Sequence, residues 1–208
     1  MWVIRIVLLV MLGAMVGADS LLLRHRRKYA RLARSRVVNV ALVTAHLAVT
    51  FALVTLPPAG GWNARPGWLR PGTVCVGFGA VGAVLVCAGM GLALLALRQR
   101  KAVGLQDSQE GLITWRAYRY FRHPIYVGIL WTSLGLALLT RNPDGLLVFP
   151  ALFVMYFTLV LQEERGDMGV RFREQYGTYK QTTRMFGPVW LWTAILSAVL
   201  LIAVSAQI

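Results

Sequence analysis

Six apolar stretches, each close to bilayer-crossing length, constrain this chain more than any other feature: Trp2–Leu23, Val37–Leu56, Thr73–Leu97, Pro124–Thr140, Gly145–Gln162 and Val189–Ile208. A helix needs about 20 mostly apolar residues to cross the hydrocarbon core. Inside a bilayer the backbone has to satisfy its own polar groups, so stretches of this kind read as helices. The sequence therefore predicts an all-α fold, a polytopic membrane helical bundle of five to six transmembrane helices. The shortest stretch, Pro124–Thr140, crosses only if nearly upright or extended at its ends. Of 208 residues, 57% are hydrophobic and 14% charged. That leaves no length for a separate soluble catalytic domain, so any active site is built from helix ends and short loops.

The net charge of +14 first suggests nucleic acid, but the cations are distributed by topology. Three loops hold 18 of the 22: Arg24–Arg36, Arg98–Arg122 and Arg165–Arg184. The other side keeps only Arg5, Arg65, Arg70 and Arg141. This bias predicts that those three loops are cytoplasmic and the N-terminus outside. Anionic lipid surfaces explain the basic patches, and no nucleic-acid partner is expected. The excess of arginine over lysine hints at a GC-rich source, hence a bacterial inner membrane. Trp2–Leu23, interrupted by Arg5 and Asp19, reads as a retained span. A cleaved signal peptide would put the block "RHRRKYARLARSR" on the wrong side.

Cys75 and Cys87 fall in one apolar run and read as buried reduced thiols. No Cys or His pair has metal-ligand spacing, so no metal is expected. "GFGAVG" (Gly77–Gly82) formally matches a dinucleotide fingerprint, but it lies inside a membrane-length run and lacks the acid about 20 residues on. Small residues at Gly79, Ala83, Cys87 and Gly91 recur every fourth position. They read as a close-packing face between membrane helices.

Chemistry concentrates at two helix ends. "YRYFRHPIYVG" (Tyr118–Gly128) precedes and enters the fourth stretch, and Glu163–Glu164 close the fifth. Those two glutamates are a quarter of the eight acids. The intervening turn, Arg141–Asp144, makes an antiparallel hairpin. Equal rise along its two helices puts residue 123 level with about residue 162. Pro124 suits the first turn of a helix, so His123 lies at that helix's N-terminal end. Free N–H groups there favour an anion, Arg122 adds charge, and Glu163 or Glu164 suits a cation. Together they fit a zwitterion such as an amino-acid moiety. Anchoring explains the same residues without a site: Arg119 and Arg122 as inside-facing cations, Tyr118, Tyr120 and Tyr126 as an aromatic belt, and the glutamates paired with Arg165 and neighbouring cations. "RFREQYGTYKQTTRMFGP" starts like a surface-lying amphipathic helix, broken by Gly177 and Pro188. It serves either as a linker or as a wall over the pocket mouth.

"GLITWRAYRYFRHPIYVG" (Gly111–Gly128) resembles the cofactor motif R-H-P-x-Y-x-G of the integral-membrane methyltransferases. That family includes isoprenylcysteine carboxyl methyltransferases and phospholipid N-methyltransferases. The second half of the signature follows in order: Glu163, Glu164, Phe172, Tyr176, Gly177, Tyr179, Arg184 and Pro188. The match covers about Arg100–Pro188. Arg116–Ala117 stand where the family often has Gly-Pro, and Ile125 where the prenylcysteine enzymes often have Ser. The resemblance implies methyl transfer from S-adenosylmethionine, held in a cytoplasm-facing pocket. It implies cofactor contacts from Leu112 in the approach loop, Tyr118, Arg122, His123, Pro124, Tyr126, Gly128, Glu163 and Glu164. Arg184, near the acceptor, and Glu164, as a base for an amine acceptor, are the implied catalytic residues. The acceptor is lipophilic and reaches the pocket from the bilayer: an isoprenylcysteine-type carboxylate, a phospholipid amine or a thiol. The alternatives are an NADPH-dependent membrane reductase of related fold and a non-enzymatic membrane protein. Three regions are expected: N-terminal transmembrane helices (1–99), a methyltransferase core (100–188) and an additional C-terminal helix (189–208). Oligomeric state is not legible.

Overall fold

The computed structural model describes residues 2–24, 36–57, 73–102 and 112–205. All regular structure among them is helical. The order is α1 (Trp2–Arg24), α2 (Arg36–Thr55), α3 (Thr73–Ala102), the short α4 (Ala117–Tyr120), α5 (Pro124–Leu139), α6 (Pro143–Glu163), a π turn (Glu164–Met168), α7 (Gly169–Thr182) and α8 (Val189–Ser205). Two helices are long and apolar enough to cross a membrane, over Val76–Arg100 and Pro143–Glu163. Four shorter apolar helices accompany them, over Val3–Ala18, Thr44–Thr55, Pro124–Leu139 and Val189–Leu200. Most of the cation-rich first loop, residues 25–35, lies outside the described residues, as does Gly111.

The most extensive helix contact joins α3 to α5. Lipid tails are as apolar as Leu, so nothing squeezes two such helices together; close van der Waals approach has to hold them. Glycine permits it. A Cβ on Gly89 would sit 2.6 Å from the Gly128 carbonyl, and one on Gly82 would sit 2.8 Å from that of Gly135. The packing face is therefore Gly82 and Gly89 against Gly128 and Gly135. It is not the expected row: Gly91 has nothing within 4 Å, and Ala83 and Cys87 are exposed. The reason is the period. A spacing of seven keeps a seam on one neighbour, whereas a spacing of four drifts around the helix. Cys87 is a free thiol on the outer surface, not a buried one. Exposed Val76, Val84, Met90 and Leu94 complete an apolar outer face that suits lipid.

The α5–α6 hairpin turns through Arg141, whose φ of 51° is left-handed. Asn142 caps α6 by accepting from the Gly145 N–H at 3.3 Å, and Pro143 occupies the first turn. The Asn142 amide also donates to the carbonyls of Val54 (2.9 Å) and Leu56 (2.6 Å) at the end of α2. Arg5 of α1 joins this group. It pairs with Asp144 at 2.9 Å and donates to Leu56 O (2.6 Å) and Pro57 O (3.0 Å). It is fully buried, so the cation that interrupts the first apolar stretch is a clamp between α1, α2 and α6. Leu12, Val49, Leu53, Ala137, Val148 and Leu152 pack in the layer below it.

Candidate active site

At the other end of the hairpin, Pro124 holds the first turn of α5, with His123 at its N-cap. His123 does not cap the helix with its side chain. Its ring turns instead toward the end of α6, with Nδ1 3.4 Å from Glu163 Oε2 and Nε2 3.2 Å from Glu164 Oε1. Tyr126 donates its hydroxyl to Glu163 Oε1 at 3.0 Å. Arg122 Nε lies 3.4 Å from Glu164 Oε1, and Lys180 Nζ 3.0 Å from Glu164 Oε2. The levels expected from hairpin rise thus meet in space. Directly after Glu163 the helix widens into the π turn. Such bulges re-aim side chains and recur at functional sites.

Backbone strapping holds the motif in place. Arg122 N–H donates to Arg184 O at 3.0 Å, and His123 N–H to Met185 O at 3.3 Å. Tyr179 donates its hydroxyl to Tyr118 O, and Thr183 Oγ1 lies 3.4 Å from Arg119 O. Gly187, at φ 81°, leaves room for the Phe121 ring, which a Cβ there would strike. The segment after α7 is therefore a strap across residues 118–123. Helix α7 runs through Gly177 without a break; its irregularity is at Arg173, with φ 35°. Pro188 does separate it from α8. Tyr176 and Tyr179 face inward while Arg171, Arg173 and Glu174 are exposed, so α7 walls the cluster.

The electrostatics are those of a buried network. His123 is 7% exposed, and burial opposes its charged form. Hydrogen bonds and charge from Glu163 and Glu164 outweigh that, and its pKa is raised. Burial likewise disfavours the Glu164 carboxylate. Hydrogen bonds from His123, Lys180 and Tyr176 and the nearby Arg122 charge prevail, lowering its pKa to about 2. Burial pushes Tyr118 up to about 12, and Tyr176 and Tyr179 up as well. All three stay protonated near neutral pH, and the Tyr176 hydroxyl faces Glu164.

Of the expected site residues, Arg122, His123, Tyr126, Glu163 and Glu164 converge. Pro124 serves by starting α5, and Tyr118 through its carbonyl. Gly128 lies one turn further in, spent on the α3 contact. Leu112 is half-buried in the segment before α4, and the Arg184 side chain is exposed, its carbonyl alone joining the strap. Sequence reasoning missed Lys180 as a Glu164 partner, and Gln99. The signal for Gln99 was the recurrence of buried α3 residues Phe78, Gly82, Leu85, Gly89 and Ala96, which continues to 99. Among the described residues, three buried polar atoms here have neither a hydrogen bond nor an ion-pair contact: Arg122 Nη1, and Gln99 Oε1 and Nε2.

A family model for phospholipid methyltransferase matches residues 78–175, from α3 into α7. The protein-S-isoprenylcysteine O-methyltransferase of Saccharomyces cerevisiae is 29% identical over 75 residues. That stretch is 36% of this chain and 31% of the yeast protein, so the match spans under a third of that relative. No solved structure matches the chain. Taken with the paired His123 and Glu163–Glu164 motifs, the two comparisons support one family, the integral-membrane isoprenylcysteine carboxyl methyltransferases and phospholipid methyltransferases.

Proposed function

We propose that this protein is a membrane-embedded methyltransferase that moves a methyl group from S-adenosylmethionine to a lipophilic acceptor drawn from the bilayer. The observation that carries the reading is the buried cluster of Arg122, His123, Glu163 and Glu164 with hydrogen-bond capacity left over. Buried polar groups are as a rule hydrogen-bonded, so unused capacity beside a carboxylate calls for an explanation, and an amino-acid zwitterion complements both.

The two glutamates divide the work. Both oxygens of Glu164 are taken, by His123 and Arg122 on one side and Lys180 on the other. Its lowered pKa suits it to holding cations in place, and makes it a weak base for an amine acceptor. Glu163 is the more exposed, with 26% of its side chain accessible, and is the residue that takes the ammonium. Arg122 Nη1 takes the carboxylate. Nothing caps the α5 N-terminus with a side chain, which adds positive potential there. His123 positions both glutamates. S-adenosylmethionine, when bound, supplies an electrophilic methyl carbon, and the protein's part is orientation and exclusion of water. Arg184, exposed beside the strap, orients a carboxylate or thiolate acceptor.

In this reading α1, α2, α3, α5, α6 and α8 span the bilayer, and α4 and α7 lie at its surface. The cation bias puts the His123 end in the cytoplasm and the N-terminus outside. The α3–α5 packing supports a methyltransferase core that begins with α3, ahead of residue 100, with α8 as an addition. The test is transfer of labelled methyl from S-adenosylmethionine into a membrane lipid extract by the purified protein. The wild type labels a lipid-soluble product and His123→Ala does not. No labelling by the wild type, across phospholipid, prenyl-carboxylate and thiol acceptors, contradicts the reading.

A further inference from the structure

The zwitterion subsite uses Arg122 but not Gln99. Gln99 is 2% exposed, and neither its Oε1 nor its Nε2 has a hydrogen-bond partner among the described residues. A buried polar atom left unpaired is costly, so a carboxamide with both ends unpaired points to a missing ligand.

The glycine contacts locate it. Gly82 meets Gly135 and Leu139, and Gly89 meets Gly128 and Thr132. Each step of seven along α3 thus moves the contact seven back along the chain of α5. Continuing that step puts Ala96, fully buried, level with residue 125 in the first turn of α5; Gln99 lies a turn further along α3, where that helix contacts α4. Gln99 therefore lies on the inward face of α3, just beyond the start of α5, beside the segment that carries Tyr118. The next residue, Arg100, is near enough for its charge to act on both Tyr118 and Glu163.

The charged side chains at this end face one another: Arg122, His123 and Lys180 against two carboxylates. Gln99 is neutral and offers one acceptor and one donor side by side. A carboxylate would satisfy its Nε2 and oppose its Oε1, and an ammonium would do the reverse. An uncharged ring edge with adjacent donor and acceptor satisfies both, and the carboxamide–adenine pair has that geometry.

We propose that Gln99 reads the adenine edge of the methyl donor, accepting from the exocyclic amino group at Oε1 and donating from Nε2 to the neighbouring ring nitrogen. This rests on the methyltransferase reading above. The experiment is calorimetric binding of two ligands to the full chain in nanodiscs: S-adenosylhomocysteine, and its analogue lacking the exocyclic amino group. The wild type prefers the former by roughly tenfold or more, the worth of one buried hydrogen bond. Gln99→Met binds the two within about twofold of each other, having lost the group that distinguishes them. Gln99→Asn, which keeps the amide but shortens its reach, loses most of the preference and serves if the Met variant does not fold. A folded variant that keeps the wild-type preference overturns the assignment. So does a wild type that binds both ligands equally. A wild type that binds neither overturns the methyltransferase reading, and this inference with it.

Discussion

Each end of the α5–α6 hairpin buries an arginine against a carboxylate, to opposite effect. At the turn, Arg5 is held by Asp144 and by the last carbonyls of α2, and Asn142 is divided between a helix cap and two more carbonyls. Those groups tie the first two helices to the hairpin. At the far end Arg122, His123 and Lys180 surround Glu163 and Glu164, and both polar atoms of buried Gln99 have no hydrogen-bond partner among the described residues. At one end the arginine is joined to main-chain carbonyls that follow another helix; at the other it faces side-chain carboxylates near a buried carboxamide, the arrangement that the proposed function assigns to ligand binding.

The largest expected effect is on the fastener. Arg5→Met removes the buried cation paired with Asp144, costing about 3–5 kcal/mol, read as a lowered thermal midpoint in nanodiscs. Ligand binding by the folded fraction stays unchanged, and a selective binding defect would break the contrast. Glu163→Gln is the mirror case. It weakens S-adenosylmethionine binding by roughly a hundredfold, about 2.7 kcal/mol, with little shift in the midpoint. Next is the seam that holds α3 to α5. Gly89→Leu drives a side chain into the Gly128 backbone and costs about 1–3 kcal/mol or more. Gly91→Ala, with open space around it, stays within about 0.5 kcal/mol.

Acidity probes the far end of the hairpin without mutation of the fold. Glu164 has a lowered pKa, about 2, so its contribution to stability is present above its ordinary value of 4.5 and is lost as pH falls toward 2. His123 has a raised pKa. Its contribution is complete below 6.5 and is lost as pH rises through the elevated value. Thermal midpoints of the wild type therefore fall on both flanks. Glu164→Gln flattens the acid flank and His123→Gln the alkaline one; the reverse assignment would contradict the network. Lys180→Met is also small. Its side chain is 45% exposed, and removing it costs about 0.2–1 kcal/mol of stability.

How much of this the sequence carried differs between features. The meeting of His123 with the glutamate pair was legible, because a tight hairpin of two regular helices leaves depth as simple arithmetic. Pro124 marked the start of α5 through a local backbone rule that membranes do not change; Asn142 and Pro143 read as part of the turn, whereas they cap and begin α6. The packing seam was not legible. A membrane helix is apolar all round, so hydrophobic periodicity no longer marks its inward face, and glycines every fourth residue competed with glycines every seventh. Arg5 looked like a blemish in a span, because its partners are main-chain carbonyls from a helix 50 residues away. Lys180 looked like one more inside-facing cation. Its role depends on how α7 folds back over the π turn, whose irregular winding no residue pattern announces.

The most direct measurement of the central claim is equilibrium binding of S-adenosylmethionine in nanodiscs, comparing the wild type with Glu163→Gln and Arg5→Met at a temperature where all three are folded. The account predicts tight binding by the wild type and Arg5→Met, and binding roughly a hundredfold weaker by Glu163→Gln. Equal binding by all three, or a loss that tracks Arg5 and spares Glu163, would contradict it.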